Sequence, residues 1–307
     1  MIDLMRMFVI NKHRFENHIG DNNLVDLTSK INMLTGELME YPKKGKDLNL
    51  DVTITPLSAS IIGSIHKYKN LLEDNGNQNY DDFNFCQIQE TIGGLIKKFN
   101  IQRDTKLTYV EFGFNLVVSK DPQIILDNNV LMNNYKAPNR NEKFGGKGDY
   151  KQFILTDYSI KIYNKSKPFK LESNVLRVEL KIVKKRLLNS LGIQCLEDLL
   201  DKKVLKSLFR LFIEHFEGLI IVDDFKYEKV SEKDRNKLNG YMSPNYWIRI
   251  KSEKSPKQIS GLKTDFINIL NKYQLLEMKN EIREKLNAKF IELLDSDCYN
   301  SNYGNVA

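Results

Sequence analysis

Three segments of the chain alternate apolar and polar side chains with the period of two that is typical of a β-strand. They span residues 107–118, 153–163 and 175–183. In the third segment Leu176, Val178, Leu180 and Ile182 would point one way, and Arg177, Glu179 and Lys181 the other. Each segment therefore predicts a strand with one buried face and one face that carries ionisable groups.

Helical segments supply the layer that would cover the apolar side of these strands. Residues 84–99 and 184–217 repeat apolar side chains at helical spacing, and a helical pair is indicated from about 256 to 295. A sheet with one apolar face must bury that face against another element. The predicted fold class is α+β, with helices packed on one face of an antiparallel sheet and a C-terminal helical appendage.

The pattern along the chain suggests three regions. Residues 1–50 are polar and interrupted by turn residues, which predicts an N-terminal extension. Residues 51–222 contain the alternating segments and predict the main, sheet-based domain. Residues 223–307 predict a helical accessory region. A chain of 307 residues is long enough for one main core and a smaller unit.

Membrane and zinc-binding classes find no support in the sequence. No stretch approaches the roughly 20 apolar residues of a membrane helix, so we expect a cytoplasmic protein with no membrane partner. The three cysteines have no zinc-ligand spacing.

Positive charge is concentrated in one part of the chain. The formal net charge is +7, and the segment Lys143–Arg186 holds 12 Lys or Arg against 4 Asp or Glu. Such an excess favours an anionic partner, although a lysine-rich composition alone would also produce a basic protein. The predicted nucleic-acid contacts are Lys147, Lys151, Lys161, Arg177 and Lys181.

Carboxylate and amide oxygens on the polar strand face predict a cation site. Glu111 and Asn115 share one face of their strand, and Glu179 lies on the polar face of another. Oxygen ligands of this kind suit Mg²⁺ or Mn²⁺. The competing interpretations are a solvated sheet face for Glu111 and a charge-paired structural role for Glu179.

A tyrosine on the same face would provide a nucleophile. Tyr163 shares its predicted face with Lys161 and precedes Lys165 by two residues. The pKa of a free tyrosine is near 10, so a neighbouring lysine or a metal must favour the phenolate. We therefore predict Tyr163 and Lys165 as catalytic residues. Tyr227, Tyr241 and Tyr246 stay open as alternatives.

Two short motifs in these strands resemble a known family. The stretch Asp157-Tyr-Ser-Ile-Lys-Ile-Tyr-Asn-Lys, followed by Leu176-Arg-Val-Glu-Leu-Lys, is similar to a strand pair of the replication initiators of filamentous phages and rolling-circle plasmids. The segment Val110-Glu-Phe-Gly-Phe-Asn resembles the acidic strand that precedes it, although the family usually has Asp preceded by Arg there. The chain also resembles proteins of Bacteroidota mobile elements that share Gly63-Ser-x-His-Lys-Tyr and Asn245-Tyr-Trp.

The resemblance covers roughly residues 110–185 and implies a function. It implies site-specific nicking of single-stranded or hairpin origin DNA through a phosphotyrosine bond. Glu111 and Glu179 would be metal ligands, and Arg177 a phosphate contact or structural partner. Residues 51–222 would then be the catalytic and DNA-binding domain, and the region 223–307 would serve origin binding or oligomerisation. A homodimer and a host helicase remain open as further partners. The alternatives are a DNA- or RNA-binding protein of a phage or mobile element without catalysis, and an interaction protein whose lysines serve solubility.

Overall fold

The computed structural model describes residues 1–142 and 149–296, without the side chains of residues 140–142 and 227. Ten of the described strands form one antiparallel sheet in the order β2-β3-β4-β5-β1-β6-β11-β10-β9-β8. These strands are β1 (Ile2–Val9), β2 (Thr28–Ile31), β3 (Leu38–Asp47), β4 (Leu50–Ile54), β5 (Ala59–Ser64), β6 (Lys106–Val117), β8 (Arg140–Glu142), β9 (Tyr150–Ile154), β10 (Tyr158–Asn164) and β11 (Val175–Ile182). A separate two-stranded sheet pairs β7 (Val130–Asn133) with β12 (Leu219–Ile221). The predicted α+β class with an antiparallel sheet is confirmed.

The helices account for most of the remaining described chain. They are α1 (Lys12–Asp21), α2 (Ile65–Leu72), α3 (Phe85–Phe99), α4 (Pro122–Ile124), α5 (Ser166–Phe169), α6 (Lys185–Ser190), α7 (Lys202–Glu217), α8 (Glu232–Tyr241), α9 (Pro244–Glu253), α10 (Pro256–Lys272) and α11 (Glu277–Asp295). Helix α4 continues as a π-helical turn over Ile125–Asn129. Short 3₁₀ segments cover Glu197–Leu200 and Tyr227–Lys229. None of the described helices is long and apolar enough to cross a bilayer.

The main core lies between the apolar sheet face and helices that include α3, α7 and α11. Phe112 and Phe114 of β6 meet Phe212 of α7 and Phe290 of α11 in edge-to-face contacts. Such aromatic contacts stabilise a core beyond the area that they bury. Because α11 belongs to this core, the predicted helical accessory region does not separate cleanly from the sheet at residue 223.

The N-terminal segment is part of the sheet, so its prediction as an extension is wrong. Strand β1 lies between β5 and β6 and pairs with both in antiparallel register. Ile2 and Met5 are fully buried in the main core. The local sequence could not show this, because the partners of β1 lie 50 or more residues away in the chain.

A second, smaller core gathers the C-terminal helices around Trp247. Its indole N–H donates to the carbonyl of Tyr241 at 2.6 Å, and its ring packs on Phe266 of α10. Met132 of β7 and Ile220 of β12 also belong to this core. The small sheet of β7 and β12 therefore joins the C-terminal helices to the main body.

Candidate active site on the polar sheet face

Strand register brings the predicted polar residues of β6 and β11 directly opposite one another. Arg177 pairs with Asn115, Glu179 with Gly113, and Lys181 with Glu111. Side chains of directly opposed residues lie on the same face of a sheet. The prediction that these polar residues share one face is therefore confirmed.

Gly113 allows the strands to approach closely beside Glu179. A Cβ atom at this position would lie 2.6 Å from the carbonyl oxygen of Val178 and 3.0 Å from the Cα atom of Glu179. Both of those atoms belong to the backbone, which cannot rotate away as a side chain can. The absent side chain thus leaves room for the Glu179 carboxylate over β6.

Three carboxylates meet on this face, and we call Asp3, Glu111 and Glu179 the carboxylate cluster. One oxygen of each lies within 4.8 Å of the others, and all three residues are less than a tenth exposed. Asp3 reaches the cluster where the register of β1 against β6 shifts between Ile2 and Met5. Register shifts of this kind re-aim side chains and occur often beside active sites. Sequence reasoning missed Asp3, because the first 50 residues were assigned to an extension.

Arg177 is the central counter-charge of the cluster. Its Nη2 lies 2.8 Å from an Asp3 oxygen, its Nε 3.1 Å from Glu179 Oε2, and its Nη1 3.1 Å from Asn115 Oδ1. The residue is 3% exposed, so its guanidinium is enclosed by these partners. The prediction of Arg177 as a nucleic-acid contact is therefore wrong, and its alternative role as a structural partner describes the observed geometry.

Asn115 does not join the carboxylate cluster, so its prediction as a metal ligand is wrong. Its side-chain oxygen accepts from Arg177, and its amide nitrogen donates to the carbonyls of Asn79 and Asp81 at 3.0 and 3.3 Å. The amide thus fixes the 79–81 loop against β6. The side-chain oxygen of Asn115 is bound by the Arg177 guanidinium and is therefore turned away from a metal position.

A chain of polar contacts links Asp3 to Lys165. Asn79 donates from Nδ2 to Asp3 at 2.7 Å, and Asn79 Oδ1 accepts from Lys165 Nζ at 2.5 Å. The Ser64 hydroxyl, at the N-cap of α2, also donates to Asp3. Burial and the nearby Arg177 charge lower the pKa of Lys165 to about 7. A buried amine with this pKa can accept or release a proton near neutral pH.

The two glutamates of the cluster influence each other. Burial and the neighbouring Glu179 charge raise the pKa of Glu111 to about 7, although Lys181 lies 2.9 Å away and opposes that shift. For Asp3, burial acts to raise the pKa, but Arg177 and the Ser64 hydrogen bond outweigh it and hold the pKa below its ordinary value. Near pH 7 the cluster therefore exchanges a proton at Glu111 while Asp3 stays ionised.

Two tyrosine hydroxyls donate to the cluster. Tyr163 Oη lies 3.3 Å from Glu179 Oε2, and the Tyr109 hydroxyl donates to Glu111. Glu111, Glu179 and a tyrosine hydroxyl therefore converge on the polar sheet face. Burial and the Glu179 charge raise the pKa of Tyr163 well above 10. Tyr163 is therefore a neutral phenol until another positive charge enters the site.

The alternative tyrosines lie elsewhere. Tyr241 is buried in the second core and donates to Asp265 at 2.9 Å, and Tyr246 packs on Trp247 in the same core. Neither ring belongs to the carboxylate cluster. The side chain of Tyr227 lies outside the described residues. Tyr109, which sequence reasoning did not consider as a nucleophile, is instead the second tyrosine at the cluster.

The lysines predicted to contact nucleic acid lie on two different faces of the sheet, according to their positions along the strands. Lys161 and Lys181 line the cavity beside the cluster, and Lys161 Nζ lies over the rings of Tyr150 and Tyr163 at 4.3 and 4.6 Å. Lys151 pairs with Ile162, on the opposite face, and its buried ammonium donates to the Val130 carbonyl at 2.8 Å. Its prediction as a nucleic-acid contact is wrong for that reason. Lys147 lies outside the described residues.

An open cavity of about 690 Å³ gives access to the cluster. Its lining includes all three carboxylates, Tyr163, Asn79 and the lysines of the neighbouring strands. The lysine side chains among its walls are Lys46, Lys67, Lys161 and Lys181. A cavity lined by both carboxylates and lysines can admit a cation and an anion together.

The donor set fits a hard divalent cation. Three carboxylates with an open cavity beside them supply the oxygen ligands that Mg²⁺ and Mn²⁺ bind, with room for water or a phosphate oxygen. Asp3 and Glu179 already share the charge of Arg177, so the additional negative charge would come from Glu111 as it loses its proton. The residues that would hold the cation are Asp3, Glu111 and Glu179.

Comparisons with known proteins give limited information about this chain. No protein-family model matches it, and no curated protein sequence is significantly similar to it. Among solved structures, it is similar to one described as a rolling circle replication initiator protein from Geobacillus stearothermophilus, with 11% identity and a TM-score of 0.41. That match covers 77% of this chain and 89% of the other. At this level of similarity, functional conclusions depend on the side chains of the site itself.

Proposed function

We propose that this protein is a rolling-circle replication initiator that nicks single-stranded origin DNA through a metal-assisted phosphotyrosine intermediate. The observation that carries the proposal is the meeting of three buried carboxylates with the Tyr163 hydroxyl in the lining of an open cavity. A nucleophile, a place for a cation and a lysine-lined entrance are the parts that metal-assisted phosphoryl transfer to a tyrosine requires.

The proposed reaction transfers one phosphodiester from DNA to the protein. Tyr163 Oη forms a bond to phosphorus, one bond from phosphorus to a sugar oxygen breaks, and that oxygen leaves with a proton. A cation held by the carboxylate cluster would polarise the scissile phosphate and favour the phenolate. Glu179 orients the Tyr163 hydroxyl, and Arg177 holds Glu179 and Asp3 in place.

We assign the transfer of the proton to Lys165. Its ammonium lies 5.7 Å from the centroid of the Tyr163 ring, and its pKa near 7 allows both protonation states at neutral pH. The neutral amine would take the phenolic proton through an intervening water molecule. The resulting ammonium can then protonate the departing sugar oxygen, so that the proton is returned within one cycle.

The test compares two tyrosines that both donate to the carboxylate cluster. Wild-type protein, Tyr163→Phe and Tyr109→Phe are incubated with single-stranded DNA from the parent element and Mn²⁺, then separated under denaturing conditions. We expect a protein–DNA adduct from the wild type and from Tyr109→Phe, none from Tyr163→Phe, and none in EDTA. An adduct that persists in Tyr163→Phe would reassign the nucleophile.

A second candidate function is nucleic-acid binding without catalysis. The observation in its favour is that each carboxylate already has a cationic partner or donor, with Arg177 on Asp3 and Glu179 and Lys181 on Glu111. Such a network can serve as a structural element of the sheet. Tight DNA binding with no adduct in the presence of Mg²⁺ or Mn²⁺ would favour this candidate.

A further inference from the structure

Part of the polar sheet face stays open to solvent beside the carboxylate cluster. On β1, Arg6 and Phe8 lie three and five residues beyond Asp3 and project from this face, and Phe8 is 41% exposed. Strand β1 is an interior strand of the sheet, with four strands on one side and five on the other. Phe8 is therefore an exposed aromatic side chain on an interior strand of the sheet, where a ligand could pack against its ring.

The strand register extends this region into two parallel rows. Phe8 pairs with Ser60 and with Lys106, and the row continues through Thr53 to Lys44. The adjacent row runs through Lys46, Asp51, Ile62, Arg6 and Tyr109. We call these two rows the open track. It spans the five adjacent strands β3, β4, β5, β1 and β6.

The open track is positively charged and largely unpaired. Arg6, Lys44 and Lys106 form no ion pair with any residue that the structure describes. Lys46 contacts Asp51 at 3.2 Å, and Asp51 is the acidic member of the two rows. Four basic side chains against one acidic side chain favour an anionic ligand that lies flat on the sheet.

The aromatic side chains indicate which anionic polymer fits. Phe8 lies between Lys106 of β6 and Ser60 of β5, and Tyr109 lies beside Arg6 in the next row. Proteins bind single strands by stacking unpaired bases on aromatic rings while basic residues follow the phosphates. A duplex keeps its bases stacked on each other and would offer Phe8 only its backbone.

The open track also leads to the cluster. Leu4 lines the cavity at the carboxylates, and Phe8 lies four residues further along β1, which corresponds to about 13 Å at about 3.3 Å per residue. Arg6 lies between them on the same face. A strand whose phosphate sits at the carboxylate cluster can therefore place a nearby base over Phe8.

From these observations we infer that the open track binds single-stranded nucleic acid, with one unpaired base stacked on Phe8 and its phosphates on Arg6 and Lys106. The inference deepens the proposed function by assigning where the strand lies outside the reacting centre. It does not require the chain to be catalytic.

The test measures binding in EDTA, so that nicking does not contribute. A fluorescent oligothymidine of about 12 nucleotides is titrated with wild-type protein, Phe8→Tyr, Phe8→Leu and Phe8→Ala. Alanine substitution of a base-stacking aromatic residue corresponds to a Kd about 5- to 140-fold higher. We expect that loss in Phe8→Ala and most of it in Phe8→Leu, while Phe8→Tyr stays near wild type because it keeps the ring.

A control variant and a duplex separate stacking from general effects. Leu57→Ala changes a side chain that is 93% exposed at a turn and should leave the Kd unchanged. A duplex of equal length should bind wild type and Phe8→Ala alike. Equal affinity of Phe8→Ala and wild type for the single strand would overturn the inference, as would equal losses for single strand and duplex. If binding depends on Phe8 but no protein–DNA adduct forms, the nicking proposal is rejected and the inference about the open track stands.

Discussion

Replacement of Arg177 by methionine tests whether the carboxylates form one electrostatic unit. The guanidinium makes hydrogen bonds of 2.8, 3.1 and 3.1 Å to Asp3, Glu179 and Asn115, and it is 3% exposed. Removing one partner of a buried ion pair leaves uncompensated charge and costs about 3–5 kcal/mol. Since two carboxylates lose the same partner here, we expect a loss of that size in the free energy of unfolding.

The assay is equilibrium urea unfolding near neutral pH, first in EDTA and then with Mn²⁺. The matched control is Arg186→Met, because Arg186 makes a two-pronged contact with Asp157 but its side chain is 72% exposed. An exposed pair of this kind contributes about 1 kcal/mol or less. Arg177→Lys keeps the charge and should give an intermediate loss, which preserves the comparison if Arg177→Met does not fold in EDTA.

Mn²⁺ should restore part of the stability lost in Arg177→Met. With Arg177 gone, the carboxylate cluster has a larger negative charge and should bind the cation more tightly than in wild type. A ligand present at 100 times its Kd stabilises the folded state by about 2.7 kcal/mol. A loss no larger than that of Arg186→Met would refute the reasoning about the ion pairs. A loss that Mn²⁺ leaves unchanged would refute the cation site.

Three further predictions concern individual residues of the site. The folded-state pKa of Glu111 is raised to about 7 from an ordinary value of 4.5. Between these pH values the folded state holds a proton that the unfolded state has lost, so the free energy of unfolding falls as pH rises. Glu111→Gln should flatten this dependence in urea unfolding, and an unchanged slope would contradict the shift. Asp3→Asn should weaken Mn²⁺ binding at least tenfold by calorimetry, while Asp51→Asn, an exposed carboxylate of the open track, should not. Gly113→Ala should destabilise the fold by about 1–3 kcal/mol, because its Cβ atom would lie 2.6 Å from a backbone oxygen. In the control Gly94→Ala, in α3, the Cβ atom meets nothing within 4 Å, so this variant should stabilise the fold by about 0.5–1 kcal/mol. Equal effects in the two variants would show that the close approach at Gly113 is not a constraint.

The parity of the strands predicted the part of the site that lies on β6 and β11. Glu111 and Glu179 alternate with core residues, and alternation fixes the face on which a side chain lies once a strand is paired. Tyr163 followed from the same rule on β10. The sheet, its covering helices and helix α3, which begins with a capping box at Asn84, were also legible in local patterns.

The contributions of Asp3 and of the 79–81 loop could not be predicted in the same way. Asp3 enters the cluster because β1 inserts between β5 and β6 and its register shifts beside Asp3, and neither fact has a local signature. The residues of β1 alone do not reveal which strands it pairs with. Asn79 reaches Asp3 and Lys165 from a polar loop whose path depends on tertiary contacts.

Two errors have the same physical origin, which is that residue type does not reveal the hydrogen-bond partner. Asn115 has the chemistry of a metal ligand, but its oxygen accepts from Arg177. Lys151 has the charge of a phosphate contact, but β9 places it on the covered face, where it donates to a carbonyl.

The segment 153–163 was predicted as one strand, whereas a turn between Ile154 and Tyr158 divides it into β9 and β10.

The most direct test of the central claim is to identify the residue that carries DNA after reaction with Mn²⁺. Trypsin cleavage after Lys161 and Lys165 releases the peptide Ile162-Tyr-Asn-Lys165, in which Tyr163 is the one hydroxyl-bearing side chain. After nuclease trimming, mass spectrometry should find this peptide with a nucleotide attached in the wild type and no modified peptide in EDTA. A nucleotide on the peptide that contains Tyr109, or on no peptide at all, would contradict the account.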